Sequence, residues 1–188
     1  MIAITPERMF TAQQFKVLRD SARRNALGAV RGATTQNLVT RPLLPTDFYG
    51  TETANFSNST AISAAATPTA QGGVAKVQNA TGYAIFGYGS LLATDHLVEM
   101  WLGNGANTWA RIRLSPLYCE GTAGSRIGYF DPVYFNTNDS VVLTLVSDAA
   151  VLINAGLFEL IGIVAETPNQ VAIQPAQAPG QAPTTVDG

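Results

Sequence analysis

The chain has one cysteine, Cys119, and one histidine, His96, among 188 residues. A lone cysteine forms no internal disulfide and no Cys-based zinc cluster. A lone histidine leaves few bases for a Ser or Cys nucleophile, which needs one within hydrogen-bond reach. Asp95 adjoins His96, but neighbouring residues of a strand face opposite ways. His96 therefore reads as an ordinary strand-start residue. Cys119, in PLYCEG, reads as a small buried hydrophobe. No GxSxG sequence suggests a nucleophile elbow. The expectation is a protein that is not an enzyme and holds no metal and no cofactor.

Charge is also scarce. Only 13% of the residues are charged, against about 25% in ordinary soluble proteins. Such a surface is clad in Ser, Thr, Asn, Gln and Gly, or in other protein. This suits a subunit of an assembly, or an inert extracellular domain. No apolar run approaches the roughly 18 residues that span a bilayer. The longest, GLFELIGIVAE (156–166), is broken by Glu159 and reads as a strand. The first 30 residues are studded with cations and lack the apolar stretch of a secretory signal. A soluble chain made in a cytoplasm, without membrane contact, is the expectation.

The charge that is present is sorted. Arg8, Lys16, Arg19, Arg23, Arg24, Arg31 and Arg41 precede Pro42, opposed there only by Glu7 and Asp20, a formal +5. Lys76, Arg111, Arg113 and Arg126 face eleven acids in the remainder, a formal −7. Residues 1–50 thus read as a basic arm. Thr11-Ala12-Gln13-Gln14 fits a capping box, and Phe15, Leu18, Ala22 and Ala26 recur at helical spacing. Gly28 offers a stop. The spacing predicts a helix over about 12–27, and Pro42 and Pro45 predict an irregular, extended connector after it.

Residues 51–167 alternate short Val-, Ile-, Phe-, Tyr- and Leu-rich runs with turn clusters. The clusters are QGG (71–73), NATG (79–82), GNGAN (103–107), EGTAGS (120–125), NTND (136–139) and SDAA (147–150). In TWARIRL, Ala110, Ile112 and Leu114 share one face and Arg111 and Arg113 the other, the period of a half-buried strand. Six to eight strands at this spacing predict an all-β, antiparallel β-sandwich or barrel. Residues 168–188, rich in Pro, Ala and Gln, read as an extended tail.

Candidate sites are few. Asn136, Asn138 and Asp139 form a fragment of a calcium loop without its closing Glu, and a turn built on Asn and Asp explains them. GYGS (87–90) and GNG (103–105) lie among strands rather than before helices, so they read as bulges or turns, not phosphate cradles. Glu99, Glu120, Asp131 and Glu159 show no spacing that pairs two of them for glycoside hydrolysis. The sequons at Asn55, Asn58, Asn79 and Asn138 read as turn chemistry. Trp101 and Trp109 are candidates for subunit contacts or for a sugar platform. The arm is sparser in Arg and Lys than segments that bind nucleic acid, so nucleic acid is not its expected partner. Two readings of its helix stand: it packs on its own sandwich, or it docks on an acidic protein surface.

The layout itself carries a resemblance. An N-terminal arm, a proline-broken connector, the stretch GYFDPVYFNTNDSVVLTLVSDAA followed by GLFELIGIVAE, and a Pro/Ala/Gln tail resemble the jelly-roll cement or decoration proteins of tailed-bacteriophage heads. The resemblance covers roughly residues 70–167. It implies a jelly-roll-like sandwich, a homotrimer, the major capsid protein as partner, and a place on the virion capsid surface. The arm residues Arg8, Phe15, Lys16, Arg19, Arg23, Arg24, Arg31 and Arg41 would then dock the capsid. The alternative is a fibre or tail-associated carbohydrate-binding module that uses Trp101 and Trp109.

Overall fold

Burial alternates along segments such as Phe158–Val164 in the computed structural model of the chain, which describes residues 2–4, 12–30, 38–49, 56, 60–62, 66, 68–77, 81–92, 96–104, 107–114, 120–122, 125–154 and 156–167. In chain order the elements are β1 (Ile2–Ile4), α1 (Ala12–Ala29), β2 (Val39–Pro42), α2 (Pro45–Tyr49), β3 (Thr60–Ile62), β4 (Thr69–Lys76) and β5 (Thr81–Ser90). They continue with β6 (Leu97–Gly103), β7 (Thr108–Arg113), β8 (Glu120–Thr122), β9 (Ser125–Phe135), β10 (Ser140–Ser147), β11 (Val151–Ile153) and β12 (Phe158–Glu166).

Two five-stranded sheets form a β-sandwich. The first runs β1-β7-β6-β10-β4, the second β2-β12-β5-β9-β8, and β11-β3 form a separate ribbon. The pairings are antiparallel except β1 with β7, which is parallel with Ile2 opposite Ala110. Each sheet holds one hairpin of successive strands, β6–β7 in the first and β8–β9 in the second. One core joins the sheets. Ile85, Phe130, Phe135 and Phe158 come from the second, and Met100, Leu102, Ile112 and Leu143 from the first. The Tyr88 and Phe158 rings stack with centroids 5.9 Å apart.

The second sheet is covered on both faces. Thr81–Tyr88 of β5 are all buried, because α1 lies on the face that the core does not use. Leu18, Ala22 and Ala26 pack with Ala84, Phe86 and Ala165, and Phe15 meets Tyr129 edge-on at 5.2 Å. Small residues on both sides let the helix sit close. A Cβ on Gly82 would stand 2.6 Å from the Ala26 carbonyl oxygen and 2.8 Å from the Ala29 Cβ. Gly82→Val is therefore expected to push the last turn of α1 off the sheet at a cost of about 1–3 kcal/mol, read as a lower thermal midpoint. An unchanged midpoint would show that the close approach carries no weight. The helix passes through Gly28 and ends at Ala29, whose carbonyl accepts the Thr137 amide at 3.2 Å.

Several expectations need revision. The proline-rich connector is regular. Pro42 closes β2, an edge strand, where its missing N–H matters least, and Pro45 opens α2 at a helix's first position. QGG (71–73) lies inside β4, opposite a register shift between Val141 and Leu143. The boundary at residue 50 separates nothing in the described residues: β1 and β2 extend the two sheets, and α1 is a third layer. GYGS, by contrast, holds the irregularity expected of its glycines, a register shift between Ile85 and Gly87. Residues 168–188 lie outside the described residues.

Candidate functional site

The face of α1 that carries Leu18, Ala22, Ala26 and Ala29 is used on its own sheet. What α1 offers outward is charge. Lys16, Arg19, Arg23 and Arg24 are all exposed, and Asp20 is the acid among them. Spacings of three and four residues put Lys16, Arg19 and Arg23 on one flank. Among the described residues, none of these four cations forms an ion pair. Arg8 and Arg31 lie outside the described residues.

Beside that flank runs a groove of about 370 Å³, bounded by Arg19 and Arg23 of α1 and by Thr40 and Pro42 of β2, with Ile161 and Ile163 of β12 in its lining. On the opposite flank a second groove of about 390 Å³ lies between Val17 of α1 and Asp131 and Pro132 of β9. Both exist because α1 is narrower than the sheet beneath it.

Arg41 has a different job from its neighbours in sequence. Its guanidinium is held by two buried carboxylates. Asp47 accepts from both terminal nitrogens at 2.6 Å, and Glu166 accepts from Nε at 2.6 Å and from Nη2 at 3.0 Å. Asp47 also accepts the Leu44 amide at 2.8 Å, and its own carbonyl accepts the Tyr83 hydroxyl at 2.9 Å. The hydrogen bond to Asp47 does most to hold Arg41 protonated; burial opposes it, Glu166 adds to it, and the net direction is upward. Arg41, expected in the docking set, thus joins β2, α2 and β12 inside the subunit. Phe15 likewise packs inward, against Tyr129.

Each candidate tryptophan has one ring face occupied. The Arg111 guanidinium lies 4.9 Å from the Trp101 ring centroid. Trp109 stacks on Phe135 at 5.0 Å and packs against the core. Glu99 ties the outer face of β6–β7 together by accepting from Trp101 Nε1 at 2.8 Å, from Arg111 Nε at 3.1 Å and from Arg111 Nη2. Burial opposes ionisation of Glu99. The Trp101 and Arg111 hydrogen bonds, with the charges of Arg111 and Arg113, outweigh it and hold the carboxyl below its ordinary range. A depressed carboxylate stabilises the fold above its unfolded-state pKa, and the gain is lost as the pH falls through the folded-state value. Glu99→Gln is thus expected to flatten the acid limb of the stability curve, measured by urea melts at falling pH. An identical acid limb would refute this.

His96 Nδ1 lies 2.8 Å from Asp148 Oδ1 at the surface. In the NTND stretch the Asp139 carboxylate accepts the Asn136 amide at 2.7 Å, and Asn138 takes a left-handed conformation, the geometry of a turn. Among the described residues no three His, Cys, Asp or Glu side chains gather to hold a metal ion, and no helix is long and apolar enough to cross a membrane. Cys119 lies outside the described residues.

Sequence reasoning missed Asp47 and Glu166 as partners of Arg41, since neither lies at a periodic spacing from it. It also missed the Ile161–Ile163 floor of the groove, two residues of one strand face. The alternation in GLFELIGIVAE was the available signal for that floor. No protein family, curated protein or solved structure matches the chain.

Proposed function

We propose that this chain is a virion structural protein, a cement or decoration subunit that binds the outside of a phage head and stabilises contacts between major capsid proteins. One observation carries the reading. Four exposed cations, without an ion-pair partner among the described residues, stand on the outer side of a helix whose apolar side is fastened to the sandwich. A cationic face on a fixed platform suits an acidic protein surface. The layout resemblance supplies the class of surface, a capsid lattice. The protein's low overall charge lets copies gather without strong repulsion. Individual surface ion pairs contribute only about 0.2–1 kcal/mol, and a trimer that engages several capsid subunits multiplies them through effective concentration.

The test is a charge swap. Lys16, Arg19, Arg23 and Arg24 are exposed, so the combined K16E/R19E/R23E/R24E protein is expected to fold and melt as the parent does. Its occupancy on purified particles is expected to fall roughly tenfold or more, four lost pairs amounting to about 1–4 kcal/mol. Parental protein should be stripped as salt shortens the screening length from about 10 Å at 0.1 M to about 3 Å at 1 M. A swapped protein that coats particles at parental occupancy would defeat the proposal.

A further inference from the structure

The groove between α1 and β2–β12 combines two features that rarely sit together on a surface this poor in charge. Its floor is apolar: Ile161 and Ile163 are only half-buried where α1 leaves the sheet uncovered, beside the buried ring of Phe86. Its helical wall carries Arg19 and Arg23, exposed and without an ion-pair partner among the described residues, with Asp20 beside them and Lys16 on the same flank. Arg41, near the opposite wall, adds no free cation because Asp47 and Glu166 hold it, two carboxylates against one guanidinium. Among the described residues, the free cations of the groove are therefore those of the helix.

The volume, about 370 Å³, falls at the low end of the roughly 300–1,000 Å³ of ligand pockets. It takes a few side chains of an extended segment, not a folded element. Among the described lining residues no exposed aromatic offers a surface for stacking bases, since Phe86 is 3% exposed; this favours peptide over single-stranded nucleic acid.

We infer that this groove seats an extended acidic segment of a partner protein, with aliphatic or aromatic side chains on Ile161 and Ile163 and carboxylates on Arg19 and Arg23. The inference deepens the docking reading, on which it rests, by naming the place and the chemistry of the partner. Apolar contact supplies selectivity for side-chain shape, and the arginines supply sign selection and bidentate geometry.

Fluorescence anisotropy on the full chain tests it. The probe is a short labelled peptide in which Leu and Phe alternate with Glu. Comparison peptides replace Leu and Phe by Ser, or Glu by Lys, and a single-stranded oligothymidine provides the nucleic-acid arm. The acidic-apolar peptide is expected to bind, and each comparison probe to bind roughly tenfold or more weakly. R19E/R23E is expected to abolish binding by charge, and Thr40→Trp to abolish it by filling the groove from the β2 wall with the helix unchanged. Equal binding of the Ser-substituted peptide or of oligothymidine would overturn the assignment, as would peptide binding that survives both variants. Particle occupancy of Thr40→Trp separates the two levels. Parental occupancy with peptide binding lost removes the groove as the seat of docking and leaves head binding in place. Peptide binding intact in a protein that never attaches to particles supports the groove and removes the head-binding reading.

Discussion

Arg41→Met is expected to destabilise the protein by about 3–5 kcal/mol, the penalty for removing one partner from a buried ionic cluster. Asp47 and Glu166 are 8% and 4% exposed. Both carboxylates address the one guanidinium, so its loss strands two negative charges together, at the seam where β2, α2 and the end of β12 meet. For a chain of this length, 1 kcal/mol moves the thermal midpoint by about 2–4 °C. A fall of roughly 6–20 °C is therefore expected in a calorimetric scan. Replacing all three residues by apolar ones of similar size should recover much of the loss, since desolvation of the ions then disappears as well. A melt within one or two degrees of the parent (about 0.5 kcal/mol on the same scale) would show that solvent, rather than Arg41, compensates these acids.

Removing residues 1–30 is expected to damage the sandwich rather than free it. From the sequence, deletion of the arm through Arg41 should leave a folded body that fails only to attach. The packing of α1 argues otherwise. Without the helix, Ala84, Phe86 and Ala165 face water, and the half-buried Ile161 and Ile163 join them in a continuous apolar patch. Burial of Leu18 contributes about 1.5–3 kcal/mol and the cover over Phe86 a comparable amount; ordering the helix offsets part of this. The deletion also takes β1 from the edge of β7. The expected result is a lower thermal midpoint, binding of a hydrophobic dye, and self-association in size-exclusion chromatography. The charge-swapped protein serves as the contrast, since it keeps the cover and loses only the cations. If the shortened chain keeps the parent's association state, binds no dye and melts like the parent, α1 is an appendage and its contacts are incidental.

The strands with regular alternation were legible. Ala110, Ile112 and Leu114 face the core while Arg111 and Arg113 face outward, as the period-two pattern of TWARIRL requires. Strand β9 was legible only at its end, VYF. Its middle carries Asp131 and Pro132, residues that signal a turn, and it survives as a strand because a bulge opposite Ile85–Gly87 absorbs them. The Gly pair hid the first part of β4, Thr69–Gly73, for the same reason. Strands of three residues, such as β1 and β8, contain too little sequence to show a period. In the arm, Phe15, Leu18, Ala22 and Ala26 revealed the buried face but not what it would meet. Ala22, Ala26 and Ala29 were the clue, since a row of alanines suits a close seat better than a foreign groove. The Arg41 cluster was illegible because its members are brought together by the pairing of Arg41 with Val164, 123 positions along the chain.

The parallel pairing of Ile2–Ile4 with Ala110–Ile112 has a consequence for synthesis. Ile2 is made 108 positions before Ala110, the residue it pairs with. The helix waits longer still, because part of its seat, Ala165, belongs to β12. Folding so dominated by distant contacts is slow. Until β12 is made, α1 carries its apolar face uncovered beside its cations, the kind of exposed surface that aggregates in folding intermediates.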